Sequence, residues 1–211
     1  MKLVVAIPSG EMIYADMAFS MNATCIDALI QKIPLAAILN KKVSMVAKAR
    51  CELVDEALQI GATHILFIDS DHSFPRDLIA RLWKADKDII GILCTTKKTP
   101  VRSNAVDLKN NPVLPKTGLE EVARVGTGIM LIKTEVFKKM KRPFFNTKYE
   151  QGFMKEAKWI GEDYYFCEQA RHKGAHIFVD HDLSRECYHL GQTGYSIEAL
   201  ERKHGDKDIT K

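Results

Sequence analysis

Two aspartates separated by one serine, Asp69 and Asp71, are the residues of this sequence best suited to chemistry by type and spacing. They follow residues 64–68, whose β-branched and aromatic side chains predict a strand buried on both faces. In an open α/β sheet, ligands bind beyond the carboxyl ends of the strands, where this pair would lie. Mg²⁺ and Mn²⁺ suit such a site, because they accept one or two carboxylates and keep positions open for phosphates. Asp-Ser-Asp is also typical of a strand-ending turn, so the motif alone leaves both interpretations open.

The elements around this pair alternate between strand and helix. Short apolar runs predict strands at residues 3–7, 35–39, 64–68 and 88–93. Apolar positions at helical spacing predict the helices between them, at residues 14–32, from an N-cap at Ser44 to Gly61, and from Ser73 through Leu82. This alternation is the pattern of a parallel, doubly wound α/β sheet.

The second half of the chain is less regular. Residues 95–118 have no convincing period and predict a long loop or a weak hairpin, a kind of segment that is often functional. Residues 125–132 predict a strand, in which Gly126 and Gly128 indicate a bulge or the close approach of a ligand. The remaining predicted elements are a short helix capped by Thr134, a helix opened by Gly161-Glu162-Asp163 and ended by Gly174, a strand at 175–179, a strand end at 187–191, and a charged helical tail from Ser196.

Composition places this chain of 211 residues among ordinary globular proteins, since 46% of its residues are hydrophobic and 27% are charged. The formal charge of +4 suits an anionic ligand such as a nucleotide, but it is too small to imply nucleic acid by itself. No apolar run approaches the ~20 residues that cross a bilayer, so no membrane span is expected. The apolar run that ends at Ile7 is too short for a signal sequence.

The cysteines indicate a reduced compartment. Their number is odd and none has Cys-x-x-Cys spacing, so they predict neither a zinc ribbon nor a disulfide framework, and we expect a cytoplasmic protein. The pair His172 and His176 is spaced like zinc ligands, but Gly174 ends the helix between them, and we predict no zinc site there. The five cysteines are Cys25, Cys51, Cys94, Cys167 and Cys187.

Three polar motifs follow one another along the chain: Asp69-Ser70-Asp71 after a strand, Gly161-Glu162-Asp163 at the start of a helix, and Tyr188-His189-Leu190-Gly191 near the end. In this order, over residues 1–195, the sequence resembles the nucleotide-sugar glycosyltransferases of the GT-A fold, including family 2-like members. The resemblance implies an α/β fold of GT-A type, with a Rossmann-like, mostly parallel central sheet flanked by helices. It divides the chain into a GT-A domain at 1–195 and a helical or mobile tail at 196–211.

The resemblance also implies roles for single residues. The aspartates of the D-x-D motif, Asp69 and Asp71, would bind a divalent metal, Mn²⁺ or Mg²⁺, that holds the donor diphosphate, and His189 would complete the metal site. Asp71 is favoured as a direct ligand, whereas Asp69 would act through water or hold the ribose. The donor would be a nucleoside-diphosphate sugar, with a UDP-sugar favoured, and its predicted contacts are Pro8, Lys48, Arg50, Asp69, Ser70 and Gly128.

Sugar transfer needs these residue types. Breaking a sugar–diphosphate bond develops negative charge on the leaving phosphate, which a bound metal stabilises. The acceptor hydroxyl must lose a proton, and a carboxylate at hydrogen-bonding distance can take it. Asp163 is the candidate base and Glu162 the second choice, and a base facing the anomeric carbon implies inversion. Acidic residues in the first turn of a helix also stabilise its dipole without any catalytic role.

Structural interpretations compete with functional ones at four residues. A histidine such as His189 is often bonded to backbone, and a histidine placed like His72, beside Asp71, more often caps its loop than reaches a metal or substrate. The cations Lys48 and Arg50 fit a solvated helix face as well as they fit a phosphate.

A basic loop and a tryptophan are candidates for acceptor binding. The loop contains Lys97, Lys98 and Arg102 and would meet an anionic acceptor, although most charge runs are only solvated. Trp159 stands close enough to Asp163 in sequence to line an acceptor pocket.

Three classes of function therefore stay open. The first is a metal-dependent, hexosyltransferase-like glycosyltransferase, with a glycan, a protein, a small molecule or a modified DNA base as its acceptor and with its oligomeric state open. The second is a nucleotidyltransferase on a related fold, although no Gly-rich phosphate signature follows the first strand. The third is a non-catalytic nucleotide-sugar-binding module, against which the presence of all the polar motif positions argues.

Overall fold

The computed structural model describes residues 2–40, 44–97, 100–150, 158–191 and 197. In these residues the strands are β1 (Leu3–Pro8), β2 (Leu35–Asn40), β3 (His64–Ile68), β4 (His72–Ser73), β5 (Ile89–Ile92), β6 (Ala105–Val106), β7 (Leu119–Glu121), β8 (Arg124–Val125), β9 (Ile129–Lys133), β10 (Lys148–Glu150), β11 (Lys158–Ile160), β12 (Ile177–Asp180) and β13 (Tyr188–His189). The helices are α1 (Ala15–Ile30), α2 (Val46–Gln59), α3 (Leu78–Ala85), α4 (Thr134–Lys138), α5 (Glu162–His172) and α6 (His181–Ser184).

Among the described strands, seven form one central sheet in the order β2-β1-β3-β9-β5-β12-β7. Five of them run in one direction, whereas β9 is antiparallel to both β3 and β5, and β7 is antiparallel to β12. The mostly parallel α/β sheet is therefore confirmed, and the strands β1, β2, β3 and β5, which alternate with helices, are parallel to one another as predicted. The alternation of strand and helix stops after β5, and without a crossover helix the next central strand can enter the sheet in the opposite direction.

The first half of the chain follows the predicted elements closely, with two corrections. Helix α2 begins after Met45, which makes no side-chain capping bond, so the predicted N-cap at Ser44 is wrong. The third helix begins at Leu78 rather than Ser73, because His72 and Ser73 are extended as β4 and pair with another strand.

In the second half, the predicted strand at 125–132 is two strands, β8 and β9, separated by Gly126-Thr127-Gly128. Thr134 is the first residue of α4, which follows Lys133 as N-cap; its hydroxyl donates to the Thr63 carbonyl at 3.1 Å instead of capping the helix. Helix α5 begins after Gly161 as predicted. The loop at 95–118 contains β6, while β7, α6 and the β10–β11 pair were not predicted. The tail from Ser196 lies outside the described residues, apart from Ile197.

Both faces of the central sheet are buried, because alternate side chains along each strand point to opposite faces. On β1, Val4 and Ala6 join one apolar cluster, with side chains of α2, α4 and α5, and Leu3 and Val5 join another, with side chains of α1, α3 and α6. This packing fixes the carboxyl ends of the parallel strands at one edge. The amino end of the reversed strand β9 lies at the same edge, where the Asp69 amide donates to the Gly128 carbonyl at 2.8 Å.

None of the helices that the structure describes combines the length and the apolar character that a membrane crossing requires.

Candidate functional site

A buried arginine joins two of the three polar motifs. The Arg50 Nη2 donates to both carboxylate oxygens of Asp69, at 2.9 and 3.2 Å, and its Nε donates to Glu162 Oε1 at 3.3 Å. The Arg50 side chain is only 3% exposed, and its guanidinium lies 5.4 Å from the centre of the Phe67 ring. A single cation therefore connects helix α2, the end of strand β3 and the start of helix α5.

The charge of Arg50 is secured by its partners. Burial acts to lower the pKa of the guanidinium, but the carboxylates of Asp69 and Glu162 outweigh it and raise the pKa above its ordinary value. Its remaining nitrogen, Nη1, is buried and has no hydrogen-bond partner among the described residues. Buried donors are normally satisfied, so this unpartnered nitrogen is an exception that calls for a partner.

The second aspartate belongs to a different cluster. One ligand atom each from Asp71, His72 and His189 lie within 4.8 Å of one another, a spacing that suits a shared metal ion. His72 Nδ1 is 3.1 Å from Asp71 Oδ1, and His189 Nε2 is 3.4 Å from Asp71 Oδ2. The antiparallel pairing of β4 with β13 sets His189 directly opposite His72, and their rings stack at 4.6 Å.

The orientation of His189 fits a metal ligand. Its Nδ1 is 2.9 Å from the Thr95 carbonyl oxygen, and because a carbonyl only accepts, Nδ1 must carry the proton. In the neutral ring Nε2 then presents a lone pair towards Asp71 Oδ2, so two acceptors face each other, an arrangement that a cation stabilises. A backbone carbonyl that fixes the ring in this way is the usual outer partner of a metal-binding histidine.

Asp71 is ionised. Burial acts to raise the pKa of its carboxyl, but the side chains of His189, His72 and Lys97 around it outweigh burial and hold the pKa well below the usual range. The Lys97 ammonium donates to Asp71 Oδ2 at 2.7 Å. The carboxylate is therefore charged at any ordinary pH, as a metal ligand must be.

Of the predicted metal ligands, the structure brings Asp71 and His189 together and adds His72, which adjacency to Asp71 had suggested. Asp69 is not in this group of described residues, because both of its carboxylate oxygens accept from Arg50, and its metal contact stays a prediction. Two imidazoles and a carboxylate favour Mn²⁺ over Mg²⁺, since Mg²⁺ prefers oxygen ligands.

A glycine makes room for His72. A Cβ added at Gly128 would lie 2.6 Å from His72 Cε1 and 2.7 Å from its Nε2, closer than atoms can approach. The close approach that the glycine predicts is thus present, but the group that approaches is the His72 ring. Gly128 also lines a cavity of about 170 Å³ together with residues of all three motifs, namely Asp69, Glu162, Asp163 and His189.

The candidate base lies between two cavities. Burial, aided by the charge of Glu162, raises the pKa of Asp163 to about 6, although the Tyr164 amide donates to Asp163 Oδ1 at 2.7 Å. Asp163 lines the 170 Å³ cavity on one side and a cleft of about 1130 Å³ on the other. Two further residues, Thr96 and Asn104, line both spaces, so the cavities adjoin.

Three predicted donor contacts lie apart from this centre. Pro8 ends strand β1, and Lys48 is exposed beside Glu52. The Ser70 carbonyl accepts a hydrogen bond from the Tyr14 amide. None of the three is among the described residues that line the small cavity. Their roles stay predictions.

No motif in the sequence points to Thr95 or Asn104. The Thr95 carbonyl orients His189, and its buried hydroxyl has no partner among the described residues. The Asn104 side chain accepts from the Cys94 amide at 2.8 Å and so fixes the loop to the end of β5.

Comparison with known proteins shows the fold. No protein-family model and no curated protein matches the sequence. The STIV protein A197 matches with a TM-score of 0.65 at 18% identity, over 94% of this chain and 92% of that chain. A mutant Drosophila β1,4-galactosyltransferase 7, in complex with manganese, UDP-Gal and xylobiose, matches with a TM-score of 0.51 at 14% identity, over 100% and 76%. The fold is that of the GT-A glycosyltransferases.

The GT-A fold predicted from the order of the three motifs is thereby confirmed. A nucleoside-diphosphate-sugar pyrophosphorylase from Vibrio cholerae also matches, with a TM-score of 0.48 at 11% identity over 87% of this chain and 93% of that chain. That score is too low to favour its class of reaction. At such identities the likeness extends to the fold alone, and the chemistry must be argued from the site.

Proposed function

We propose that this protein is a glycosyltransferase that moves a sugar from a nucleoside-diphosphate sugar to a hydroxyl acceptor with the help of a divalent metal, preferably Mn²⁺. One observation carries the proposal. A buried carboxylate with a raised pKa, Asp163, lies where a small polar cavity meets a large cleft, and residues of all three motifs line the small cavity. A two-substrate transfer needs such a base between its substrates.

The small cavity has the chemistry of a diphosphate site. Arg50 and Thr95 line it, and each has a buried polar atom, Nη1 and the hydroxyl, without a hydrogen-bond partner among the described residues, so a small shift on binding would let a phosphate oxygen satisfy them. The residues that would hold the metal are Asp71, His189 and His72. A metal bound there would offset the negative charge that develops on the leaving diphosphate. The galactosyltransferase of the same fold was solved with manganese and UDP-Gal, which supports this assignment.

Asp163 acts as the base. The proton of the acceptor hydroxyl passes to its carboxylate, the acceptor oxygen bonds to the anomeric carbon, and the bond from that carbon to the diphosphate breaks with its electron pair on the phosphate. This direct displacement inverts the anomeric centre. A pKa of about 6 leaves Asp163 ionised at neutral pH yet more basic than an ordinary carboxylate. Glu162 accepts a hydrogen bond from Arg50, and its negative charge raises the pKa of the adjacent Asp163.

The large cleft would hold the acceptor. Its lining mixes the cations Arg124 and Arg171 with the carboxylate of Glu168, so it lacks the single sign of charge that nucleic acid requires. At its rim Trp159 is 72% exposed and lies 5.1 Å from Tyr149, ring centre to ring centre. An exposed aromatic face among balanced polar groups favours a sugar-containing acceptor over a modified DNA base.

The predicted basic loop lies partly outside the described residues. Lys97 donates to Asp71, Arg102 is exposed, and Lys98 is not described. That this loop meets an anionic acceptor stays a prediction.

The test is transfer by an Asp163→Asn variant in the presence of Mn²⁺. The amide keeps the size of the side chain but cannot accept a proton, so donor binding should persist while transfer falls on the order of 10²–10⁴-fold. Calorimetry with UDP and GDP measures binding, and release of nucleoside diphosphate measures turnover. The control is Asp86→Asn, an exposed site elsewhere, which should keep both. Transfer near the wild-type rate in Asp163→Asn would remove the base from the proposal, and release of pyrophosphate instead would indicate nucleotidyl transfer.

A further inference from the structure

A lysine holds the position in front of the predicted metal ligands. The Lys97 ammonium is 2.7 Å from Asp71 Oδ2, the same oxygen that His189 Nε2 approaches at 3.4 Å. Its charge also lies 5.6 Å from the centre of the Tyr14 ring. The acceptor atoms of Asp71 and His189 that face each other are thus stabilised by a cation of the protein itself, the Lys97 ammonium.

A divalent metal and this ammonium exclude one another. A metal bound to Asp71 and His189 would lie within a few ångströms of the ammonium, and two cations at that distance repel strongly in a partly buried site. Asp71 also carries one negative charge, which Lys97 already neutralises. A metal must therefore take the carboxylate from the lysine.

The backbone around Lys97 permits this exchange by the side chain alone. The Thr96 amide donates to the Arg102 carbonyl at 2.9 Å, and the Arg102 amide donates to the Thr96 hydroxyl at 3.2 Å, so the base of the loop is fixed. The Thr95 carbonyl holds His189 independently of the lysine. The Lys97 side chain is 30% exposed, and its flexible stem can leave without disturbing the ligands.

We propose that Lys97 is a built-in counter-ion that competes with the metal for Asp71 and, once displaced, binds the diphosphate of the donor. This inference rests on the proposed function for the nature of the second ligand. Lys97 follows Thr96, which lines the cavity that would hold the diphosphate, so the released ammonium can reach a phosphate there. Metal and nucleotide then bind together more tightly than either binds alone, because the nucleotide stabilises the displaced lysine.

The experiment is a titration with Mn²⁺ followed by electron paramagnetic resonance, which reports free Mn²⁺ without any activity. Lys97→Met keeps the apolar stem and removes the charge, so it should bind Mn²⁺ more tightly than the wild type by about threefold to tenfold. The matched control is Lys133→Met, which removes an ammonium of similar exposure, 27%, from its ion pair with Asp86. The control should bind Mn²⁺ as the wild type does.

A second titration adds UDP. The nucleotide should tighten Mn²⁺ binding in the wild type and in Lys133→Met, and it should do so several-fold less in Lys97→Met, where the lysine that couples the ligands is missing.

Equal or weaker Mn²⁺ binding by Lys97→Met would overturn the inference, as would an unchanged effect of UDP in that variant. Circular dichroism and thermal unfolding establish that each variant is folded. Failure of the inference is distinguishable from failure of the proposed function. In the first case the wild type still binds Mn²⁺ and UDP and Lys97→Met behaves like it, whereas in the second no variant binds UDP with Mn²⁺.

Discussion

The aspartates of the D-x-D motif are two residues apart in sequence but have different partners. Asp69 is bound by Arg50, and Asp71 is bound by His72, His189 and Lys97. Residues two apart in a strand would point to the same face, but β3 ends at Ile68 and residues 70–71 form a turn, so one aspartate faces the buried arginine while the other faces the β4–β13 pair. Two carboxylates that look equivalent in the sequence therefore have separate partners.

Substitution of His189 distinguishes a metal-binding role of this residue from a purely structural one. We expect His189→Ala to weaken Mn²⁺ binding at least tenfold, on the order of the losses seen when groups that support a metal site are removed. Wild-type binding should also weaken in acid, because only the neutral ring coordinates. Calorimetry between pH 5 and pH 8 measures both effects. The control is His176→Ala, whose ring pairs with Glu121 at an exposed site, and a loss no larger in His189→Ala would return His189 to a structural role.

The raised pKa of Asp163 also predicts a dependence of stability on pH. Its folded pKa of about 6 exceeds the ordinary pKa of an aspartate, about 3.9, so the folded state binds the proton more tightly than the unfolded chain. The stabilisation of the fold by this bound proton is fully present below pH ~4 and is lost as the pH rises through ~6. Above pH 7 the ionised carboxylate therefore costs on the order of 2–3 kcal/mol.

The Asp163→Asn variant avoids this cost, because an asparagine side chain is never ionised. We expect the variant to be more stable than the wild type at pH 8 and the difference to shrink towards pH 4, as measured by urea unfolding across that range. A difference that does not depend on pH would contradict the raised pKa. Such a gain in stability on removal of a functional group is the usual sign of a site that is built for activity.

At the scale of elements, the short pair β4–β13 and the segment before β9 hold the predicted metal ligands in place. Strand β13 brings His189 to His72, and Gly128 lies against the His72 ring. These contacts connect residues that lie far apart in the sequence, and they depend on the pairing of β4 with β13 and on the absence of a side chain at Gly128.

Gly128→Ala tests this arrangement. The added methyl group would meet the His72 ring, so we expect a loss of unfolding free energy of about 1–3 kcal/mol together with weaker Mn²⁺ binding. Gly10→Ala is a matched control, because nothing lies within 4 Å of a Cβ at that position. If Gly128→Ala and Gly10→Ala have the same stability and the same metal affinity, the contact with His72 is unimportant.

The sequence predicted most elements but not how they meet. The apolar runs of β1 and β3 predict buried strands, and the order of the three motifs predicts the GT-A fold. The direction of β9 has no local signature, because direction depends on the path of the chain before the strand. The bond from Arg50 to Glu162 and the bond from Lys97 to Asp71 connect distant positions and require the folded structure.

At the scale of the whole molecule, Arg50 connects the two halves of the chain. It binds Asp69 at the end of β3 and Glu162 at the start of α5, and all three are at least partly buried. We expect Arg50→Met to destabilise the fold by about 3–5 kcal/mol, because two carboxylates lose their cation. Urea unfolding measures the loss. Arg76→Met is the control, since the Arg76 side chain is 70% exposed and its bond to Asp27 is long at 3.5 Å; equal losses in the two variants would deny Arg50 this role.

The reversed strand β9 also determines where the protein can be re-engineered. The segment between β5 and β9 begins and ends at one edge of the sheet, because the two strands are direct antiparallel neighbours, and along the way it adds β7 to the sheet beside β12. Asn104 fixes the middle of this segment to Cys94 and Gly126 through its backbone, and the exposed turn around Asn110 projects beyond it at the rim of the large cleft. Closing a longer loop between adjacent ends costs little. Exchange of that turn for a longer or shorter one should therefore change which acceptors the cleft binds, while the sheet and the predicted metal ligands keep their geometry.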